Sequence, residues 1–241
     1  GEPAQVGKGS TAMVARVCVF DAYGTLFDVA AAARAAAAEP GRGLFAERWA
    51  DVANTWRLKQ LQYTWLRAIA EAHTDFWTVT TEALDFALEA HGVADDPELR
   101  ERLLALYWEL DAYPEVPEML DTLKSDGFQT ALLSNGSPDM LRGAVESASI
   151  SGLLDAVLSV EDVGVFKPDR KVYDMVGARF DCAPAEVLFV SSNGWDAAAS
   201  SGYGFQTAWV NRAGEPVDRL PWTPREILPD LIPIPDRART W

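Results

Sequence analysis

The sequence predicts an α/β protein: a parallel sheet flanked by helices and interrupted by an all-helical insertion. Two observations lead there. Short apolar runs recur without polar alternation, and each ends abruptly in a polar cluster, as strands covered on both faces do. Helical patterns separate those runs, and the gap after the first run is far too long for a single crossover helix.

The first run, Val17-Cys18-Val19-Phe20, meets Asp21. From about Val29 to Ala112 the chain is rich in Ala, Leu, Trp, Glu and Arg and poor in Gly and Pro. Within it, Ala30 to Ala38 reads as a helix stopped at Glu39-Pro40. Leu58, Leu61, Trp65 and Ile69 recur at three and four residues and predict an amphipathic face. This insertion is expected to sit as a cap over the end of the first strand. A helix over Val116-Pro117 to Lys124 then leads into the second run, Thr130-Ala131-Leu132-Leu133, which ends at Ser134-Asn135. Ser137 and Pro138 read as N-cap and first residue of a helix carrying Met140, Leu141 and Val145. Ala156-Val157-Leu158 leads toward Glu161-Asp162, and a helix over Val172 to Phe180 precedes Val187-Leu188-Phe189-Val190. That run meets Ser191-Ser192-Asn193, and Thr207-Ala208-Trp209-Val210 is a fifth candidate strand. The Pro-rich tail from Pro221 closes the domain or crosses its surface. In open α/β sheets, sites form beyond the carboxyl ends of the strands, where this sequence puts its densest polar clusters.

Composition narrows the function. The 241 residues are 49% hydrophobic and 24% charged, with a formal net charge of −15. Long-range repulsion disfavours nucleic acid as a partner, and any anionic substrate needs local cations and backbone donors. No apolar run approaches the ~18 residues of a membrane span. Two cysteines, Cys18 and Cys182, are too few for a disulfide scaffold, and Cys18 reads as a small core residue. With no signal peptide, a reducing cytoplasm is the expected compartment. Gly1 to Ala12, small and polar and preceding Met13, are read as a leader outside the fold.

Asp21 is the pivotal residue. A carboxylate at a strand end serves as a nucleophile or a metal ligand, or simply caps the following turn. Ser134-Asn135 supplies a hydroxyl, an amide and backbone N–H groups that suit an anion, unless it only caps the next helix, for which Ser137 is better placed. Lys167, held by Pro168, is either a solvated loop charge or the neutralising partner of Asp21. Ser191 to Asp196 adds hydrogen-bonding groups, the Trp195 face and a second carboxylate. His73 and His91 both fall in the insertion, away from every strand-end cluster, and are expected to be structural or surface residues. No Gly-x-Ser-x-Gly elbow accompanies them, which disfavours a Ser-His-Asp hydrolase.

Taken in order, Phe20-Asp21-Ala22-Tyr23-Gly24-Thr25-Leu26-Phe27-Asp28, Leu133-Ser134-Asn135-Gly136, Phe166-Lys167-Pro168-Asp169 and Asn193 to Asp196 resemble the haloacid dehalogenase superfamily over nearly the whole chain past Met13. The resemblance implies a Rossmann-like core of residues 13–28 and 113–241 with a helical cap of residues 29–112. Most members of that superfamily are Mg²⁺-dependent phosphatases with an Asp-x-Asp motif. Here Tyr23 stands in place of the second Asp, and Ser192 in place of one acid of the last motif. Both departures argue against phosphoryl transfer. The sequence is more similar to the L-2-haloacid dehalogenase branch, through Trp56-Arg57, Lys59-Gln60-Leu61 and Tyr63-Thr64-Trp65-Leu66-Arg67. Ser134 to Pro138, Lys167 to Tyr173, Trp195-Asp196, Asn211-Arg212 and Gly214 match as well.

This resemblance implies an (S)-2-haloacid dehalogenase that uses no metal or other cofactor. Asp21 attacks C2 of the haloacid, displacing halide with inversion. Lys167 and Tyr173 orient it, and Thr25 and Ser191 complete its hydrogen bonding. Ser134 and the backbone amides after Asp21 and Ser134 hold the substrate carboxylate, while Arg57 and Asn135 receive the halide ion. Tyr23, Leu61, Phe76 and Trp195 line the pocket. Asp196, with Asn193, activates the water that hydrolyses the aspartyl ester. The family also implies a homodimer built partly on the long cap helix. Two departures bear on the pocket: Leu58 stands where a glutamine is expected beside the halide arginine, and Gly41 to Trp56 is longer than usual. The competing readings are a Mg²⁺-dependent phosphatase of the same fold and an anion-binding protein without turnover.

Overall fold

A computed structural model describes residues 14–241, so the reading of residues 1–12 as a leader lies outside the described residues. The sheet contains β1 (Val17–Phe20), β2 (Gln129–Ser134), β3 (Ala156–Ser159), β4 (Val187–Ser191), β5 (Gln206–Val210) and β6 (Glu226–Leu228). All neighbours are parallel, in the order β3-β2-β1-β4-β5-β6. Every residue of β1 and β4 is buried, which is why both read as unbroken apolar runs. The chain builds outward from β1 through β2 to β3, then crosses to β4 on the other side. The ends of β1, β2 and β4 therefore frame the switch point, where crevices open in such sheets.

Between β1 and β2 the chain forms α1 (Ala31–Ala37), α2 (Leu44–Ile69), α3 (Phe76–Ala90) and α4 (Pro97–Trp108). The passages into and out of this insertion pair with each other: Phe27 bridges Ala112, Asp28 N–H donates to the Asp111 carbonyl at 2.9 Å, and Tyr113 N–H donates to the Leu26 carbonyl at 2.9 Å. This neck fixes the insertion over the end of β1. The sheet is flanked by α5 (Val116–Ser125), α6 (Pro138–Ser147), α7 (Arg170–Phe180), α8 (Gly194–Tyr203) and α9 (Ile234–Thr240). Cys18 is fully buried, as a core residue should be, and burial pushes its thiol up to about 12. No helix among the described residues is long and apolar enough to cross a membrane.

Two expectations need correction. Leu58, Leu61, Trp65 and Ile69 do not form the packed face of α2. Leu58 is 67% and Ile69 82% exposed, and the buried side chains are Phe45, Val52, Trp56, Gln60 and Thr64. Ser137 occupies the N-cap position of α6, but its side chain makes no capping bond. Of the two readings of the tail, closing the domain is the one found, because Glu226–Leu228 extends the sheet beside β5 and α9 packs against α5.

Candidate active site

β1 ends at Phe20, paired across the sheet with Leu132 and Val190. Asp21 continues that ladder, its N–H donating to the Val190 carbonyl at 2.9 Å. The chain then turns, with the N–H groups of Thr25, Leu26 and Phe27 all donating to the Ala22 carbonyl. Gly24 sits at φ +88°, and a Cβ there would stand 3.3 Å from both Arg57 Nη2 and Ser192 Oγ. Glycine meets both demands.

Three donors converge on the buried Asp21 carboxylate. Lys167 Nζ donates to Oδ1 at 3.2 Å, while Asn193 Nδ2 and Thr25 Oγ1 donate to Oδ2 at 2.9 and 3.0 Å. Behind them lies a second carboxylate. Asp196 Oδ2 accepts from Lys167 Nζ at 2.9 Å and its Oδ1 from the Tyr173 hydroxyl at 2.7 Å. Lys167 is 1% exposed and Asp196 not at all, so an ammonium bridges two acids away from water. Burial pulls the Lys167 ammonium down, but Asp196 and Asp21 outweigh it, and its pKa is raised above the ordinary 10.5. Burial raises the Asp196 carboxyl above its ordinary value, and Lys167 only partly offsets this. Burial, reinforced by Asp196, holds the proton on the Tyr173 phenol.

In front of Asp21 lies a narrow cavity of about 10 Å³, lined by Asp21, Tyr23, Arg57, Leu61, Phe76, Ser134, Asn135, Lys167, Asn193 and Trp195. Space of that size holds about one water molecule. Every residue expected to bind substrate or halide faces it. Ser134 Oγ accepts from Gly136 N–H at 3.0 Å, which leaves its own proton to donate. Asn135 Oδ1 accepts from Lys167 N–H at 2.9 Å, so its amide nitrogen is the free end. The Trp195 indole N–H is buried without an acceptor. Arg57 reaches in from α2, its Nη2 donating to the Tyr23 carbonyl and to Asn193 Oδ1, each at 3.0 Å. Tyr23 stacks on Tyr107 with ring centroids 5.6 Å apart. A wider cleft of about 600 Å³ adjoins the cavity and shares Arg57, Leu61, Asn193 and Trp195 with it.

Some expected contacts fall elsewhere. Tyr173 bonds Asp196 rather than the nucleophile, because α7 turns its hydroxyl toward α8. Ser191 Oγ accepts from Asn193 N–H at 3.1 Å and touches Asp21 only through that residue. Ser192 takes the place nearer the nucleophile: its N–H donates to Thr25 Oγ1 at 2.8 Å and its hydroxyl to the Gly24 carbonyl at 2.5 Å. Thr25, Tyr173, Ser191 and Asp196 thus support the cavity wall from behind. His73 is not remote from the strand ends. It bonds Glu161 Oε1 at 3.0 Å and packs on Phe166 at 4.7 Å, joining insertion to core. His91 bonds Thr55 inside the insertion. Leu58 points outward, away from Arg57. Ala53, Asn54 and Trp56 line an adjoining groove with Arg57, and the segment Gly41 to Trp56, which lies in the turn before α2 and in its first turns, contributes nothing to the cavity wall. Sequence reasoning missed Gln60, whose Oε1 accepts from Arg57 Nη1 at 2.8 Å. The signal available was its place three residues beyond Arg57, on the same helical face. Among the described residues, no group of three or more His, Cys, Asp or Glu side chains converges as a metal cage.

A family model described as haloacid dehalogenase-like hydrolase matches residues 15–204. The chain is 43% identical over 220 residues to (S)-2-haloacid dehalogenase 1 of Pseudomonas sp. (strain CBS-3), covering 91% of this chain and 95% of that one. It is 42% identical over 201 residues to (S)-2-haloacid dehalogenase 4A of Burkholderia cepacia, covering 83% and 85%. The structure of L-2-haloacid dehalogenase from Xanthobacter autotrophicus with chloropropionic acid covalently bound superposes with a TM-score of 0.82 at 35% identity, over 94% of this chain and 99% of that one.

Proposed function

The chain belongs to the haloacid dehalogenase-like hydrolases, in their L-2-haloacid dehalogenase branch, and on that premise we propose that it hydrolyses short L-2-haloacids to D-2-hydroxy acids and halide through an ester on Asp21. One observation carries the reading. A carboxylate held by three donors shares a narrow cavity with an arginine whose side-chain acceptors are all neutral.

In the first step an Asp21 oxygen attacks C2 and the halide leaves with the bonding pair, inverting the carbon. Lys167, Asn193 and Thr25 hold the attacking carboxylate in place, and burial of Asp21 limits competition from bulk water. The substrate carboxylate is held by the Ser134 hydroxyl and by backbone amides after Asp21 and Ser134. Arg57 receives the halide with Asn135 and Trp195, since guanidinium is always charged and weakly hydrated. Tyr23, Leu61 and Phe76 supply the apolar walls. In the second step Asn193 positions water and Asp196 takes one of its protons as the oxygen bonds to the Asp21 carbonyl carbon. Collapse of that adduct breaks the bond to the substrate oxygen, which accepts the proton and leaves as the hydroxy acid. The raised pKa of Asp196 supports its use as the base, and its oxygens accept only from Lys167 and Tyr173, which leaves lone pairs to take a proton.

Residues 29–112 are assigned as the cap and residues 13–28 and 113–241 as the core, supported by the paired neck at Phe27 and Ala112. The exposed apolar side chains Leu58, Leu66 and Ile69 of α2, with Phe86 of α3, support a homodimer through the cap. Two free cysteines suit a reducing cytoplasm. The test of the function is halide release from L-2-chloropropionate with and without a chelator. Release that EDTA leaves unchanged is the expected result. EDTA-sensitive phosphate release from a small phosphate ester, with no halide release, would favour the phosphatase instead.

A further inference from the structure

Gln60 is 1% exposed, in the middle of α2. A buried amide is costly unless its donors and its acceptor are all met. Here they are, and the pattern has a direction. Thr80 Oγ1 donates its proton to the Phe76 carbonyl at 2.6 Å, so toward Gln60 it acts as an acceptor. Gln60 Nε2 donates to Thr80 Oγ1 at 2.9 Å and to the Tyr107 hydroxyl at 3.0 Å. With both amide hydrogens committed, Oε1 faces Arg57 and accepts from Nη1 at 2.8 Å. Trp56 Nε1 adds a bond to the Thr80 carbonyl at 3.0 Å. The chain of bonds thus runs from α3 and α4 through Gln60 to the guanidinium, without touching Asp21.

The chemistry of the acceptor matters as much as its position. The partners of Arg57 are the Gln60 amide, the Tyr23 carbonyl and the Asn193 amide, all neutral. A glutamate at position 60 would form an ion pair with Arg57 and cancel the charge that draws a leaving anion, and its second oxygen would face the Thr80 hydroxyl with no proton to donate. We infer that Gln60 is a positioning residue for halide departure: it fixes Arg57 through a neutral oxygen, so that the guanidinium is aimed into the cavity with its charge free for the leaving halide.

This inference rests on the dehalogenase reading above. The experiment compares wild type with Gln60→Met and with the near-isosteric Thr80→Val, which loosens Gln60 without touching Arg57. Burst halide release, ester hydrolysis and chloride inhibition are measured on L-2-chloropropionate and L-2-bromopropionate, with thermal unfolding as the check on folding. Gln60→Met is expected to slow halide release from the chloro substrate by up to about 10²-fold, the scale of a misplaced catalytic group. The bromo substrate, with its better leaving group, should lose less, so the bromo-to-chloro rate ratio rises. Chloride inhibition should weaken while ester hydrolysis is unchanged, and Thr80→Val should move each quantity the same way by less. An unchanged bromo-to-chloro ratio and unchanged chloride inhibition in folded variants, beside an active wild type, would overturn this inference alone. Absence of halide release from wild type would overturn the dehalogenase reading and this inference with it.

Discussion

Lys167 carries the electrostatics of the site on one ammonium, shared between Asp21 and Asp196. Replacing it by methionine leaves two buried acids without their cation. The expected cost is about 3–5 kcal/mol of unfolding free energy at neutral pH, measured by urea denaturation. That cost should shrink on acidification, because Asp196 takes up a proton above the ordinary aspartate range. The wild-type protein should show the complementary behaviour at the alkaline end. A lysine whose pKa is raised in the fold contributes stability that is complete below the unfolded value of 10.5 and is lost as pH rises through the raised value. Melting temperature and kcat should therefore not decline through Lys167 until pH exceeds 10.5, and Lys167→Met should lack that alkaline transition. Much of this was legible in the sequence, since Asp21 and Asn135 directly follow strands, Ser134 ends one, and their direction is set by the sheet. The partners of Tyr173 and Ser191 were not, because the contacts depend on how α7 and the end of β4 approach α8 in space.

At the scale of elements, α2 shows how a hydropathy pattern misleads. Its packed face includes Gln60, bonded to Thr80 and Tyr107 on the neighbouring helices, and Thr64, bonded to the Leu61 carbonyl, so it does not read as an apolar stripe. The residues that do repeat as a stripe divide: Leu61 lines the cavity and Trp65 packs on Trp195, while Leu58 and Ile69 are exposed. The exposed pair leaves an apolar surface to cover, which is the proposed homodimer contact. Leu58→Glu combined with Ile69→Glu is expected to convert a dimer to a monomer by light scattering, with unfolding free energy of the monomer within about 0.5 kcal/mol for each exposed substitution. A wild-type protein that is monomeric at micromolar concentration would contradict that assignment. The β6 strand was missed for a simpler reason: three residues at a sheet edge, Glu226–Leu228, are too few to show a period.

For the whole molecule, α/β alternation and the long interruption after β1 specified the architecture, because unbroken apolar runs require cover on both faces. The sequence did not reveal how narrow the space before the nucleophile is. The cavity of about 10 Å³ shares Arg57, Leu61, Asn193 and Trp195 with the 600 Å³ cleft, which marks the side from which substrate and water reach Asp21. An ester mechanism needs water to stay out of the first step and to enter for the second. The most direct measurement is a single turnover of L-2-chloropropionate in ¹⁸O-water, with mass spectrometry of both the protein and the product. Label retained in the Asp21 carboxyl group, with the first-formed D-lactate unlabelled, is the expected result. Label in the lactate hydroxyl and none in Asp21 would mean that water attacks carbon directly, and the covalent account would be wrong.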